Sequence, residues 1–163
     1  MRSLGLDPDA MDTLLNKKSG LLGLSELSND CRELEAAAES GHHGARVALD
    51  VFAHRLARHI GGLAMALRRL DAVVFTGGIG ENSVRMRAIT VARLRPLGGP
   101  LGVALDPAAN AVMTGGAGGV ISVAGATPLV AVVPTNEEWM IACDTADSLI
   151  PTSAARSHTQ RSP

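Results

Sequence analysis

The 163-residue chain has no tyrosine, two phenylalanines and a single tryptophan. With aromatics at 2%, any core has to be built from Leu, Val, Ile, Ala and Met. The stacking platforms that single-stranded nucleic acids need are missing too. Charge of one sign is also lacking: 15 basic side chains stand against 16 acidic ones, and the arginines are spread along helical stretches, so no basic footprint for nucleic acid exists. The two cysteines, Cys31 and Cys143, form no CxxC pair and have no Cys/His spacing that suits zinc. They fit a reduced, cytoplasmic setting. The opening MRSLGLDPDAMD has no apolar run of signal-peptide type. Residues 107–136 carry no charge, but glycines and Pro128 interrupt them, and backbone broken in that way cannot satisfy itself in lipid. They read as two buried strands and a Gly-rich turn, and no membrane partner is expected.

What is present is the composition of a globular chain, 46% hydrophobic and 19% charged, of a length that suits one domain. Asp7 to Lys18 reads as a short helix with Pro8 in its first turn. Ser19 to Asp30 is punctuated as a loop. Asp30, three residues before Glu33, is an N-cap pattern for a helix over CRELEAAAES that Gly41 ends. A long helix is expected from about Gly44 to Leu70, with Leu49, Phe52, Leu56, Ile60, Leu63 and Leu67 on one stripe. Gly61 and Gly62 inside it predict close approach of another backbone. Asp71 to Gly78 reads as a strand covered on both faces. It leads through GGIGENS into a helix from Ser83 to Leu97, with Arg85, Arg87, Arg93 and Arg95 on its wetter side. Leu101 to Asn110 is expected to form a strand and a turn. Val120–Ala124 and Leu129–Val133 are two further strands, and Pro134 to Ile150 is the last helix. The order implies a mixed α/β arrangement, with one domain over 1–150 and a disordered tail over 151–163.

Three places could carry chemistry. In strand–GGIGEN–helix, missing Cβ atoms let backbone N–H groups approach a phosphate or purine nucleotide. Gly78-x-Gly80-x-x-Ser83 is one residue short of GxGxxG, and no acidic residue ends a second strand about 20 residues on. A dinucleotide fold is therefore disfavoured, and no Walker P-loop occurs. On spacing alone, a tight turn and a ligand site weigh equally. In PTNEE, Thr135 and Glu138 have the spacing of a capping box, leaving Glu137 as either a helix-dipole acid or a magnesium ligand. Asp30-Cys31-Arg32 is either a cap with a surface arginine or a guanidinium placed on a base or phosphate. The five histidines fit no HExxH pattern, and no GxSxG occurs.

Taken together, NKKSGLLGLS (Asn16–Ser25), SNDCRE (Ser28–Glu33), VVFTGGIGENS (Val73–Ser83) and VVPTNEEWMIACD (Val132–Asp144) resemble the acetate kinase family in order and spacing, from about Asp7 to Leu149. Propionate kinases share these motifs. The resemblance implies the C-terminal domain of the sugar kinase/Hsp70/actin-like (RNase H-like) fold, a mixed sheet flanked by helices. It implies that Asp30, Cys31 and Arg32 contact adenosine, that Gly78, Ile79, Gly80, Glu81 and Asn82 form a second nucleotide-binding loop, and that Glu137 is associated with Mg2+. The implied reaction is reversible phosphoryl transfer from ATP to acetate, giving acetyl phosphate and ADP, in a homodimer. Family members are more than twice this length. The acetate pocket, catalytic arginines, a histidine and a magnesium-site asparagine lie in an N-terminal part with no counterpart here, so acetate or another short-chain acid is expected as a partner only when that part is supplied. The alternative is a non-catalytic nucleotide-binding or dimerisation module.

Overall fold

The computed structural model describes residues 5–98 and 101–149; the tail expected over 151–163 lies outside them. The first half of the chain is helical: α1 (Pro8–Lys17), α2 (Gly20–Ser25), α3 (Cys31–Glu39) and α4 (His43–Ala64). Asp7 caps α1 by accepting from Ala10 N, and Asp30 caps α3 by accepting from Arg32 N. Gly41, at φ 98°, turns the chain out of α3. His42 caps α4, with Nδ1 accepting from Ala45 N at 3.1 Å, which puts the proton of the neutral ring on Nε2.

The stretch read as a loop from Ser19 to Asp30 contains a helix, α2. Its punctuating residues sit at its ends: Ser19 precedes it and Glu26 closes it in the left-handed region at φ 56°. Leu21 then packs on the α3–α4 core. Of the close backbone approaches expected at Gly61 and Gly62, none is found at Gly62, and a tight one occurs at Gly44. A Cβ there would lie 2.5 Å from the Ser25 carbonyl oxygen, whereas one at Gly62 would meet nothing within 4 Å.

One core joins α3, α4 and the helix Val84–Leu94 through Cys31, Leu34, Ala38, Ala45, Ala48, Leu49, Ala53 and Met86. The buried line on α4 is therefore largely alanine, which lets the helices approach closely. Of the stripe read along this helix only Leu49 is buried. Phe52, Leu56 and Ile60 are half-buried and line an open apolar groove of about 250 Å³ beside the strand Ala72–Phe75. The helix ends at Ala64, short of Leu70, leaving Leu63 71% and Leu67 54% exposed.

The sheet has three strands in the order β1–β3–β2, where β1 is Ala72–Phe75, β2 Gly119–Val120 and β3 Leu129–Val132. β1 runs parallel to β3 and β2 antiparallel to it, so the sheet is mixed. Phe75, Val91, Val103, Ile121, Val130 and Val132 form the second core between sheet and helices. Val74 is half exposed, so the coverage of β1 expected on both faces is not found; separately, among the described residues β1 pairs only with β3. Leu129 N donates to Asp71 O and Val133 N to Phe75 O. By the alternation of a parallel ladder, the peptide groups of Ala72 and Val74 thus point to an open edge.

After β1 come α5 (Gly77–Asn82) and α6 (Val84–Leu94), then a 3-10 turn over Arg95–Leu97 and α7 (Pro107–Val112). The expected strand over Leu101–Asn110 is reduced to a single bridge, Leu105 to Ser122, because Asp106 caps α7 by accepting from Ala108 N and Ala109 N. The last helix, α8 (Glu137–Leu149), buries none of its side chains among the described residues. No helix is long and apolar enough to cross a membrane among the described residues.

Candidate nucleotide-binding cleft

The glycine-rich turn is itself helical. Gly77 begins it at φ 72°, a conformation that favours glycine. Gly80 faces β1, where a Cβ would come 3.2 Å from the Phe75 carbonyl carbon. α5 therefore lies tight on the strand it follows, and Ser83 ends it while capping α6 through Met86 N at 2.9 Å.

The structure brings Asn29, Asp30, Cys31, Arg32 and Glu35 from α3 and its approach together with Gly78, Ile79, Asn82 and Ser83 from α5 and its exit. They line one cleft of about 850 Å³. Glu35 ties the two walls at the base by accepting from the Ser83 hydroxyl, and it also faces the Cys31 sulfur at 3.9 Å. Sequence reasoning missed Glu35. Its place one turn after Cys31 on a capped helix was the only available signal.

The triplet divides its tasks. Asp30 caps α3 and pairs with Arg32 at 2.6 Å. Hydrogen bonds from the Arg32 side chain and backbone hold its carboxyl down at about 2. A depressed carboxyl pKa means that the charged form persists below the ordinary 3.8, so the contribution of the contact is complete above 3.8 and is lost as pH falls through about 2. Arg32 is exposed, so this pair adds little to stability. It does hold the guanidinium at the cleft mouth. A carbon-detected NMR titration of Asp30 is expected to give a midpoint near pH 2; a midpoint near 4 would mean the pair does not persist in solution. Cys31 is buried in the helical core, and desolvation, helped by the charge of Glu35, raises its thiol to about 11. It is a protonated wall residue and not a nucleophile.

Glu81 and Asn82 are braced by their surroundings. The Glu81 carboxylate accepts from Gly77 N at 2.8 Å, Thr135 N at 2.8 Å and the Thr135 hydroxyl at 2.6 Å. These bonds, led by that of the Thr135 side chain, lower its pKa. Since the Thr135 hydroxyl gives its proton to Glu81, Thr76 is the donor in the 2.8 Å contact between the two threonines. Asn82 donates to Gly78 O and accepts from Gly115 N, both at 3.0 Å. Glu81 thus locks α5 to the segment after β3, with Oε1 taking all three of these bonds.

That lock changes the reading of PTNEE. Thr135 belongs to the brace, and the cap of α8 falls to Asn136, whose side chain accepts from Trp139 N at 3.1 Å. Glu138 is therefore not needed as a capping partner. Glu137 and Glu138 are both exposed, and their carboxylates have no hydrogen bond or ion pair among the described residues. They line a recess of about 360 Å³ with Gly77, Gly78, Glu81, Thr135 and Asn136, beside the main cleft. Glu137 thus shares a recess with Gly78 but does not line the main cleft with Asp30–Arg32.

The comparisons fit this architecture. Among solved structures, the chain is similar to Porphyromonas gingivalis acetate kinase, with a TM-score of 0.80 and 37% identity over 92% of this chain and 36% of that one. It is also similar to a propionate kinase from Francisella tularensis, with a TM-score of 0.76 and 35% identity over 86% of this chain and 34% of that one. The fold is therefore that of a part of the small-carboxylate kinases. The model of the acetokinase family matches residues 1–143, and the chain belongs to that family. "Acetate kinase 2" of Neisseria meningitidis is 56% identical over 88% of this chain, and a propionate kinase of Yersinia enterocolitica 49% identical over 88%. The chain spans about a third of the length of these curated relatives, 35% and 34% respectively.

Proposed function

We propose that this chain is the nucleotide-gripping part of an acetate kinase, in which Asp30–Arg32 and Gly78–Asn82 hold ATP or ADP between them. The observation that carries the reading is the convergence of Asp30, Cys31 and Arg32 with Gly78, Ile79 and Asn82 on a single cleft of about 850 Å³, within the ~300–1,000 Å³ typical of small-molecule sites; Gly80 and Glu81 support that wall from behind, Gly80 against Phe75 and Glu81 through Thr135. Ile79 offers an apolar wall for a base, Arg32 a cation held at the cleft mouth by Asp30, and Asn82 an amide held in place by Gly78 and Gly115. Magnesium binding also fits. The ion takes one or two carboxylates, with water and phosphate oxygens for the rest, and Glu137 meets that need with an unengaged carboxylate beside the glycine turn. When bound, Mg2+ would supply neutralisation of phosphate charge.

The overall reaction in this reading is phosphoryl transfer from ATP to acetate or propionate, giving the acyl phosphate and ADP. A carboxylate is already nucleophilic, so alignment and charge stabilisation suffice and no strong base is needed. The acid-binding groups belong to the part of the relatives that has no match here. A cytoplasmic setting and a homodimer complete the reading, and a monomer in sedimentation velocity would remove the second.

The test is calorimetric titration of the chain with Mg-ADP and Mg-ATP. Saturable one-site binding is expected. Asn82→Ala, which removes both of its anchoring bonds, is expected to weaken that binding about tenfold, roughly the worth of one or two hydrogen bonds. Unchanged affinity in the variant would count against the assignment of the turn, and no binding by the unaltered chain would end the proposal.

A further inference from the structure

Arg87 was expected on the wet side of α6, and it is completely buried. Its guanidinium uses every N–H donor it has. Nε donates to Asn110 Oδ1 at 2.7 Å, and one terminal nitrogen donates to Gly80 O and Glu81 O at 2.8 Å each. The other donates to Asn110 O at 2.9 Å and Met113 O at 2.8 Å. All these acceptors are neutral oxygens, so the cation is buried without a hydrogen-bonded anion. Burial lowers its pKa, with partial relief from the charge of Glu35. An arginine kept in that setting is costly unless its geometry is needed.

The two sides of the fork hold different pieces of chain. Gly80 O and Glu81 O are among the last carbonyls of α5, which have no partner inside that helix. Asn110 and Met113 begin the stretch that reaches Gly115, whose N–H meets Asn82 from the opposite side. α5 is thereby fastened to residues 110–115 at two points, and its Gly78, Ile79 and Asn82 positions are left facing the cleft. We infer that Arg87 is a positioning residue for the glycine turn. It fixes the seating of α5 against residues 110–115, and so sets the wall against which a nucleotide would rest. Its contribution to binding rests on the nucleotide reading above, while its effect on α5 does not. Lysine would keep the charge, but its single ammonium cannot span both sides as the planar fork does.

The decisive variant is Arg87→Lys, followed by amide hydrogen exchange and by Mg-ADP titration. The variant is expected to keep its far-UV spectrum and cooperative melting, with exchange at Ser83 and Gly115 at least tenfold faster, exchange at Leu34 and Leu49 unchanged, and Mg-ADP affinity at least tenfold weaker. Unaltered exchange at Ser83 and Gly115 would overturn the inference. So would faster exchange that extends equally to α3 and α4, which marks general destabilisation. If the lysine variant does not fold, Asn110→Ala removes only the Nε contact and its own side-chain bond to Val84 O. About threefold faster exchange confined to Ser83 and Gly115 is then expected, and no change overturns the inference. Should the unaltered chain fail to bind Mg-ADP, the nucleotide reading falls, and the exchange pattern still decides the role of Arg87.

Discussion

Incubated with Mg-ATP and acetate, the chain by itself is expected to form acetyl phosphate at least ~100-fold more slowly than a full-length acetate kinase assayed beside it. The expectation follows from what positioning contributes to such a reaction. Holding the two reactants in line supplies several kcal/mol of the barrier reduction, and a misplacement of about 1 Å already costs roughly 100-fold. The cleft described here presents groups for one reactant. Arg32 is paired with Asp30 and lies at the cleft mouth, Arg87 is enclosed in α6 with every donor occupied, and neither is free to stabilise charge at an acceptor deep in the site. Closure of a second body over the nucleotide, which would exclude water and align the acid, has to come from residues that this chain does not match in its relatives. A hydroxamate assay for acetyl phosphate measures this directly, and turnover comparable to the full-length enzyme would refute the division of labour proposed here.

The largest effect on stability is expected from Leu34→Ala, a loss of about 2–5 kcal/mol. Leu34 is fully buried between α3 and α4, where its neighbours Ala38, Ala45, Ala48 and Ala53 are too short to move into a vacated space. A cavity left among alanines on close-packed helices can collapse only by moving backbone, which places the site toward the upper end of such losses. Against the ~5–15 kcal/mol that holds a typical domain together, this would lower the melting temperature by roughly 5–20 °C. Leu63→Ala is the control: its side chain is mostly exposed at the end of α4, and a change within about 0.5 kcal/mol is expected. Equal melting temperatures for the two variants would mean that the α3–α4 packing is misdescribed.

Local signals were readable where a single residue does a single local task. Asp30 as an N-cap, Gly41 as a stop and the strand at Leu129–Val133 depend only on neighbours in sequence, and each is found in place, the strand over Leu129–Val132. The pieces of the candidate cleft were readable as motifs, and their meeting place was not, because it depends on how α3 docks against the start of α6 through Glu35 and Ser83. Arg87 shows the difficulty most plainly. Periodicity assigns an arginine to solvent because a buried guanidinium is rare, and only the orphan carbonyls of α5 and the backbone at Asn110 and Met113 make its burial affordable. Thr135 was misread for a related reason: the spacing to Glu138 is correct for a cap, but a stronger partner, the Glu81 carboxylate, waits in a different part of the chain. The α4 stripe was read correctly as apolar. The pattern records that a face is greasy and does not identify what covers it.

The one-sided pairing of β1 has a practical corollary. The peptide groups of Ala72 and Val74, which have no strand partner on that side among the described residues and lie beside the oily trough formed by Phe52, Leu56 and Ile60, are a template on which an extended peptide can lie down. During synthesis such a seam invites chaperone attention. At the concentrations used for purification it favours strand-to-strand clustering, so colloidal behaviour, more than the free energy of the fold itself, sets how the isolated chain can be handled.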